Sequence, residues 1–250
     1  MKTRNNLKIQ NKCLACNMRR ENFFCNLSEA SLKIFESLKV TNSYAKGARL
    51  FVEGQPSSGI YMLCQGRVKL SMGSKDGKVI ILHIAGAGEI IGLSATTSDS
   101  IHIVTAEALE PCQVNFVGNK DFLRFLQQNT EACLSVVKQL SETYRIACLQ
   151  ICALGLSASV ADKLATLFLG WCKASCADRD GIHLKISYTH EEMAQMIGTS
   201  RETVTRQLKN FRDRQLITRK GSELIIHDKE KLAALIGNGQ RSKSKADIGA

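Results

Sequence analysis

The stretch from Ile186 to Ile217, ISYTHEEMAQMIGTSRETVTRQLKNFRDRQLI, leaves the chain few ways to fold. Thr189 stands three residues before Glu192, and Thr199 three before Glu202. Thr-x-x-Glu is a capping box, in which the hydroxyl accepts from one free amide of a helix start and the carboxylate reaches back to another. Gly198 lies just before the second box, where the first helix must stop and the chain must turn sharply. Two short helices joined by a tight Gly-containing turn make a helix-turn-helix, with the second helix predicted to start from Thr199.

On that second helix Val204, Leu208 and Phe211 recur at steps of four and three and predict one buried stripe. Arg201, Thr205 and Lys209 lie four apart on another face, with Glu202 and Arg206 beside them and Thr199 and Ser200 leading in. Such a face suits the major groove of DNA: Arg donates two bonds to guanine O6 and N7, and Glu accepts from cytosine N4. An ordinary solvated helix face is the competing reading. The neighbouring stretch favours DNA, because Leu216 to His227 is two short apolar runs around Lys220-Gly221-Ser222, a predicted β-hairpin wing.

The formal net charge of +11 is uneven. Residues 1–40 carry eight Lys and Arg against three Asp and Glu, residues 157–250 carry sixteen against eleven, and the middle is nearly balanced. Basic ends around a neutral centre fit a polyanion partner. No apolar run is long enough to span a membrane, and the start MKTRNNLKIQNK lacks the apolar core of a secretory signal. The expectation is a cytoplasmic protein with no membrane partner. Ten cysteines in that compartment are predicted to be buried small hydrophobes, metal ligands or redox thiols, not structural disulfides.

From about Thr41 to Val117 glycines punctuate short apolar runs: 49–52, 60–64, 68–71, 79–84, 101–104 and 112–116. Many short strands with regular turns predict a β jelly-roll barrel, with a hairpin turn at Lys75-Asp-Gly-Lys78. From Asn129 the period becomes helical. Cys133, Val137, Leu140, Tyr144, Ala147, Ile151 and Leu154 alternate steps of four and three, the seam of a two-stranded parallel coiled coil, while Val136, Ile146 and Leu149 remain to pack on the barrel. Gly155 and Ser157 mark a hinge, and Val160 to Trp171 supports the helix-turn-helix.

The fold class is therefore α+β. A cysteine-containing arm is predicted over 1–27, a jelly-roll sensor domain over 28–125, a dimerisation helix over 126–156, a winged helix-turn-helix over 157–236, and a disordered polar tail over 237–250.

This order is similar to that of the CRP/FNR family of bacterial transcription regulators, over about residues 24–235. Gly198-Thr-Ser-Arg-Glu-Thr-Val-Thr-Arg206 resembles the start of the family's recognition helix, and Glu53 to Tyr61, Gly66 to Lys69 and Gly86 to Gly92 resemble its barrel. The resemblance implies a homodimer paired through the long helix, base reading by Arg201, Glu202 and Arg206, a TGTGA-like palindrome in double-stranded DNA, and RNA polymerase as a further partner. Cyclic-nucleotide binders of the family grip the phosphate with an Arg-Ser or Arg-Thr pair after the barrel Gly-Glu. Glu89 to Val104 contains no arginine, so cyclic AMP is not expected to bind in that way.

FNR-type members hold an oxygen-sensitive 4Fe-4S iron-sulfur cluster on N-terminal cysteines plus one from the barrel. Cys13, Cys16 and Cys25 with Cys112 resemble that set, although the eight-residue gap before Cys25 is longer than in the FNR pattern. The same thiols suit zinc, a reversible dithiol, or no ligand at all. Cys64, Cys133, Cys148 and Cys152 are expected in the core or the seam, and Cys172 and Cys176 are close enough in sequence to pair. A barrel responding to another small effector is an alternative regulator. A metal-dependent jelly-roll enzyme is the reading from a different class, but only His83 and His102 lie in the barrel and no catalytic motif is present.

Overall fold

The structure is a computed structural model that describes residues 13–16, 24–155, 159–172, 177–178, 181–186, 188–221 and 223–236. Two compact units divide inside one long helix, between Ile146 and Ala147. The first unit begins with a short 3-10 turn, Cys13–Ala15, and helix α1, Glu29–Leu38. Strands β1 (Val40–Tyr44), β2 (Arg49–Phe51), β3 (Gly59–Gln65), β4 (Val68–Gly73), β5 (Val79–Ala85) and β6 (Ile90–Ile91) come next. Helix α2 (Leu93–Thr97), strands β7 (Thr105–Ala108) and β8 (Cys112–Gly118), helix α3 (Asn119–Gln128) and the part of helix α4 (Thr130–Gly155) up to Ile146 complete it.

The strands form two four-stranded antiparallel sheets, in the orders β1-β8-β3-β6 and β2-β7-β4-β5. Alternation along each strand sorts the core into two layers. Between the sheets lie Leu63, Val114 and Cys112 with Phe51, Val68 and Ala106. On the outer face of the β1-β8-β3-β6 sheet, Ile60, Met62 and Val117 meet the helices through Phe35, Phe122 and Phe125. Phe24, Cys25 and Leu27 are built into this second layer, with Phe24 packed edge-on to Phe35 at 5.2 Å. Part of the predicted arm is therefore core. Ser28 caps α1 by accepting from the Ser31 amide, and Ser28 and Ser31 both donate to Glu131 at the start of α4. Those donors hold the Glu131 carboxyl below the usual carboxylate range.

The hairpin turn at 75–78 forms, with Gly77 at φ +77° and its amide donating to Ser74 O at 3.0 Å. Residues 101–104 are not a strand: Ile101 and Ile103 are 52% and 61% exposed, and pairing begins at Thr105. The side chain turned inward is His102, stacked on Phe51 at 3.8 Å, with its backbone tied to Gln55 O and Gly54 N. Burial lowers the His102 pKa. The unfolded chain then takes up a proton near pH 6.5 that the folded chain refuses, so this contribution to stability is present at neutral pH and lost as pH falls. Urea midpoints at pH 7.5 and 5.5 are expected to draw closer together in His102→Gln than in the wild type; an unchanged gap would clear His102 of the effect.

In the second unit, α5 (Val160–Trp171) is capped by Ser159, whose hydroxyl oxygen accepts from the Asp162 amide at 3.1 Å. Strands β9 (Ala177–Asp178) and β10 (Gly181–Lys185) precede α6 (His190–Ile197) and α7 (Arg201–Asp213). The wing, β11 (Ile217–Lys220) and β12 (Glu223–Ile226), pairs antiparallel, and β10 and β9 extend it to four strands, β11-β12-β10-β9. A short α8, Lys229–Ala233, ends the unit, with Asp228 accepting from the Lys231 amide. Phe168, Phe211, Val204, Met193 and Leu224 are fully or almost fully buried and form the core.

Helix α4 runs unbroken across the predicted seam. Val137, Tyr144 and Ile151 are 52%, 73% and 68% exposed, and Ala147 is also exposed. Two assignments differ. Leu140, given to the seam, packs partly on the outer barrel layer, and Leu149, given to the barrel, is exposed. Val136 is buried as expected. Residues 1–12 of the predicted arm and the predicted tail 237–250, with Ser157, Cys176 and Ser222, lie outside the described residues.

Candidate functional site

The best-formed candidate is the outer face of α7. Its inner face explains why it is presented outward: Val204 and Phe211 are fully buried, and Phe211 meets Phe168 edge-on at 6.4 Å. Helix α6 carries the predicted capping box complete. The Glu192 amide donates to Thr189 Oγ1 at 3.1 Å, and the Thr189 amide to Glu192 Oε2 at 2.7 Å. Gly198 ends α6 at φ 64°, and the Gly198 and Thr199 amides both donate to Ala194 O.

The second box is corrected. Thr199 closes α6, and the cap of α7 is Ser200, whose hydroxyl oxygen accepts from the Thr203 amide at 3.3 Å. The two helices share so short a turn that the residue after the glycine finishes the first helix, and the next one starts the second. Glu202 thereby leaves the predicted box with Thr199 and stays at the start of α7 beside the Ser200 cap. The backbone N–H at its own position, then the Ser200 hydroxyl, holds its carboxyl below the usual range, so it is a ready anionic acceptor.

Arg201, Glu202, Arg206 and Lys209 are exposed along one side of α7, and Ser200 is exposed at its start, while Thr199 is half-buried. Thr205 is exposed but already committed. Its hydroxyl donates to Arg201 O at 2.9 Å and lies 2.8 Å from His190 Nδ1. With the hydroxyl hydrogen spent, the imidazole is the donor, and Thr205 braces α6 against α7. Burial, then the charges of Arg219 and Arg201, lowers the His190 pKa and keeps that imidazole neutral. An open recess of about 680 Å³ beside α7 is lined by Arg201, Arg206, Lys209, Arg212 and Arg219, with Glu202 the one carboxylate among them. Arg219 comes from the wing, where its guanidinium donates to Tyr188 O at 3.1 Å. It was missed in the sequence because a lone Arg in a predicted strand carries no periodic signal.

In the first unit the stretch from Gly86 to Val104, which includes α2, holds neither arginine nor lysine. Both oxygens of Glu89 are engaged: one lies 2.6 Å from His83 Nε2, the other accepts from the Gly86 amide at 2.8 Å. The two barrel histidines thus have separate roles, His83 with Glu89 and His102 on Phe51.

The thiols divide between the two core layers. Cys13 and Cys25 belong to the outer layer with the helices. Cys16 is half-buried, and its amide donates to Cys13 O at 3.2 Å, closing the turn between them. Cys112 packs between the sheets, where its thiol donates to Glu110 O at 3.2 Å and Arg67 O at 3.4 Å. A side chain on Gly66 would come within 2.6 Å of that sulfur, so the packing there is tight. The family-like set is therefore not brought together: Cys112 is on the wrong face of its sheet. Burial pushes the Cys25 thiol up to about 12 and the Cys64 thiol up to about 11. Cys133 and Cys152 are exposed and Cys148 half-buried on α4, and Cys172 is buried, donating to Phe168 O at 3.2 Å. Among the described residues, no three His, Cys, Asp or Glu side chains are set to hold a metal ion as they stand, and no helix is long and apolar enough to cross a membrane.

Residues 41–129 match the model of the cyclic nucleotide-binding domain, and residues 162–235 match that of the Crp-like helix-turn-helix domain. The cAMP-activated global transcriptional regulator CRP of Pasteurella multocida is 26% identical over 202 residues, 80% of this chain and 95% of the relative. A CRP-like cAMP-activated regulator of Mycobacterium tuberculosis is 27% identical over 194 residues, 76% of this chain and 85% of the relative. A CooA mutant from Carboxydothermus hydrogenoformans shares the fold with a TM-score of 0.74 at 22% identity, covering 85% of this chain and 94% of that one. FixK2 from Bradyrhizobium japonicum does so with a TM-score of 0.69 at 19% identity, covering 80% and 98%. With a nucleotide-binding-type barrel, a helix joining two units and a Crp-like helix-turn-helix, the chain belongs to the CRP/FNR family, as a DNA-binding transcription regulator.

Proposed function

We propose that the chain acts as a cytoplasmic homodimer that reads a TGTGA-like palindrome through α7 and answers to the state of its N-terminal thiols, with RNA polymerase as its downstream partner. The observation that carries the reading is the pairing of exposed Arg201 and Arg206 with an ionised, unburied Glu202 on a helix that buries Val204 and Phe211 on its opposite face, with Leu208 between them half-buried. Arg reads guanine and Glu reads cytosine in the major groove, and Lys209, Arg212 and Arg219 around them suit phosphates. The exposed row Val137, Tyr144 and Ile151, seven residues apart, supplies an apolar surface for a second copy. A dimer would set two recognition helices about 34 Å apart, one turn of DNA.

A cyclic nucleotide is not the signal in this reading, because an anionic phosphate would meet no arginine between Glu89 and Val104. The thiols are favoured because Cys13 and Cys25 sit against the outer barrel layer that also receives the start of α4, and the Cys16 amide is bonded to Cys13 O. In a gel shift at fixed salt, the wild type is expected to prefer a TGTGA palindrome over a scrambled duplex. Arg206→Ala is expected to lose about 1–3 kcal/mol on that site and to relax its specificity, while Lys209→Ala weakens all duplexes alike. Binding that is steep in salt yet indifferent to sequence would overturn the base-reading assignment. Identical aerobic and anaerobic binding would remove the thiol signal but leave the DNA reading intact.

A further inference from the structure

A thiol signal rests on cysteines that must meet, and strand geometry decides which do. On β3, Ile60 and Met62 face the helices, and Tyr61 and Leu63 face the space between the sheets. Cys64, next in the alternation, falls on the helix-facing side. It is also the extra residue of a β-bulge: Leu63 pairs with Val114 and Gln65 with Gln113, so Cys64 has no partner across the ladder. A bulge re-aims its side chain, and such irregularities recur beside functional sites.

The same parity operates on β8. Cys112 and Val114 lie between the sheets, so Asn115 faces the helices. Asn115 is 1% exposed, and its amide Nδ2 donates to Cys64 Sγ at 3.0 Å and lies 4.0 Å from Cys13 Sγ. The two sulfurs are thus no farther apart than the sum of those distances. Lys39 Nζ donates to Asn115 Oδ1 at 3.3 Å, as does the Thr41 hydroxyl at 2.8 Å, so the amide is oriented and its hydrogens point at sulfur. Cys25 packs in the same layer as Cys13, and the Cys16 amide donates to Cys13 O at 3.2 Å, so one turn carries Cys13 and Cys16 together.

We propose that Cys13, Cys16, Cys25 and Cys64 form a four-thiol site for a soft metal centre on the outer face of the sensor barrel, with Asn115 hydrogen-bonded to the sulfurs and Cys112 outside it. This deepens the thiol-sensor reading and rests on it. Four thiolates are the donor set of structural zinc and of iron–sulfur clusters alike. Each ligating thiol gives its proton to solvent on binding. In a tetrahedral centre with bonds of about 2.3 Å, sulfurs stand ~3.8 Å apart. The Cys13 turn therefore has to close on Cys64 by a few ångströms at most, which side-chain rotation covers. An amide donor between sulfurs is the second-sphere contact that orients ligands of such sites.

The test uses the full chain, stripped of metal and reduced under nitrogen. One arm titrates Co²⁺ and reads the thiolate-to-cobalt charge-transfer band, then displaces it with Zn²⁺; the other adds equal Fe²⁺ and Fe³⁺ with sulfide and reads the visible spectrum and, after one-electron reduction with dithionite, the electron paramagnetic resonance spectrum. The wild type is expected to take a single centre per chain in one arm, and that arm identifies the metal. Cys64→Ser, Cys64→Ala and Cys13→Ser are expected to lose it, and Cys112→Ser to keep it, with circular dichroism confirming each fold. A centre lost in Cys112→Ser but kept in Cys64→Ser would overturn the assignment while leaving a thiol sensor standing. A wild type that binds neither would overturn both.

Discussion

Phe211→Ala is expected to unfold the second unit while the first remains folded. Phe211 is fully buried and meets Phe168 edge-on, and Phe168 stands between it and Trp171. Deleting a buried aromatic costs about 3–5 kcal/mol, because the lost transfer energy adds to the cavity left behind. A small domain has about 5–15 kcal/mol in total, so a large share of its stability is at stake. Trp171 is the sole tryptophan of the chain and lies 5.5 Å from Phe168, so its fluorescence reports this unit alone. The Trp171 transition should fall by well over ten degrees or vanish, with specific DNA binding lost alongside it. Lys209→Ala, on the exposed side of the same helix, should leave the melt within about 0.5 kcal/mol of the wild type. A melt in Phe211→Ala no different from that of Lys209→Ala would mean that the two aromatic rings do not hold the helix-turn-helix to its support.

The second large effect is expected from Val137→Glu combined with Ile151→Glu. Both residues are exposed on α4 in the single chain, so a monomer should tolerate glutamates there with little change in stability. In the proposed coiled coil the same two positions face their copies across the seam, and like charges would be buried against each other. Sedimentation should show the dimer falling to a monomer. Specific DNA binding should weaken by about a hundredfold or more, because each half-site must then be held without the help of the other. If the double variant keeps the wild-type mass and affinity, α4 does not pair the chain.

Both predictions stand on helices that are legible in the residues alone. Helix starts and stops are written in neighbouring residues. Thr189 with Glu192, and a glycine at 198 reaching φ 64°, fix the first helix of the pair by contacts within one or two turns. The wing obeys the same local logic, two apolar runs around a turn. Even there the resolution was one residue: Ser200 caps α7 because Thr199 is used up closing α6. In the barrel, the apolar run at 101–104 reads as a strand, yet the structure turns its isoleucines to solvent and its histidine inward. Stacking on Phe51 and two backbone bonds to a distant loop outweigh the pattern.

The sequence by itself determined the order of the parts, the α+β class, and which side chains of α7 lie opposite its buried stripe, since these depend on spacing along one chain. The tertiary structure alone decided which thiols are neighbours. Cys64 and Cys112 look equivalent as residues in apolar strands, but a strand sends successive side chains to opposite faces, and a single bulge at Cys64 fixes its aim. Which face the N-terminal cysteines cover depends on Phe24, Cys25 and Leu27 packing against helices from the far end of the unit, a choice set by burial over long sequence separation. No spacing along the chain records it.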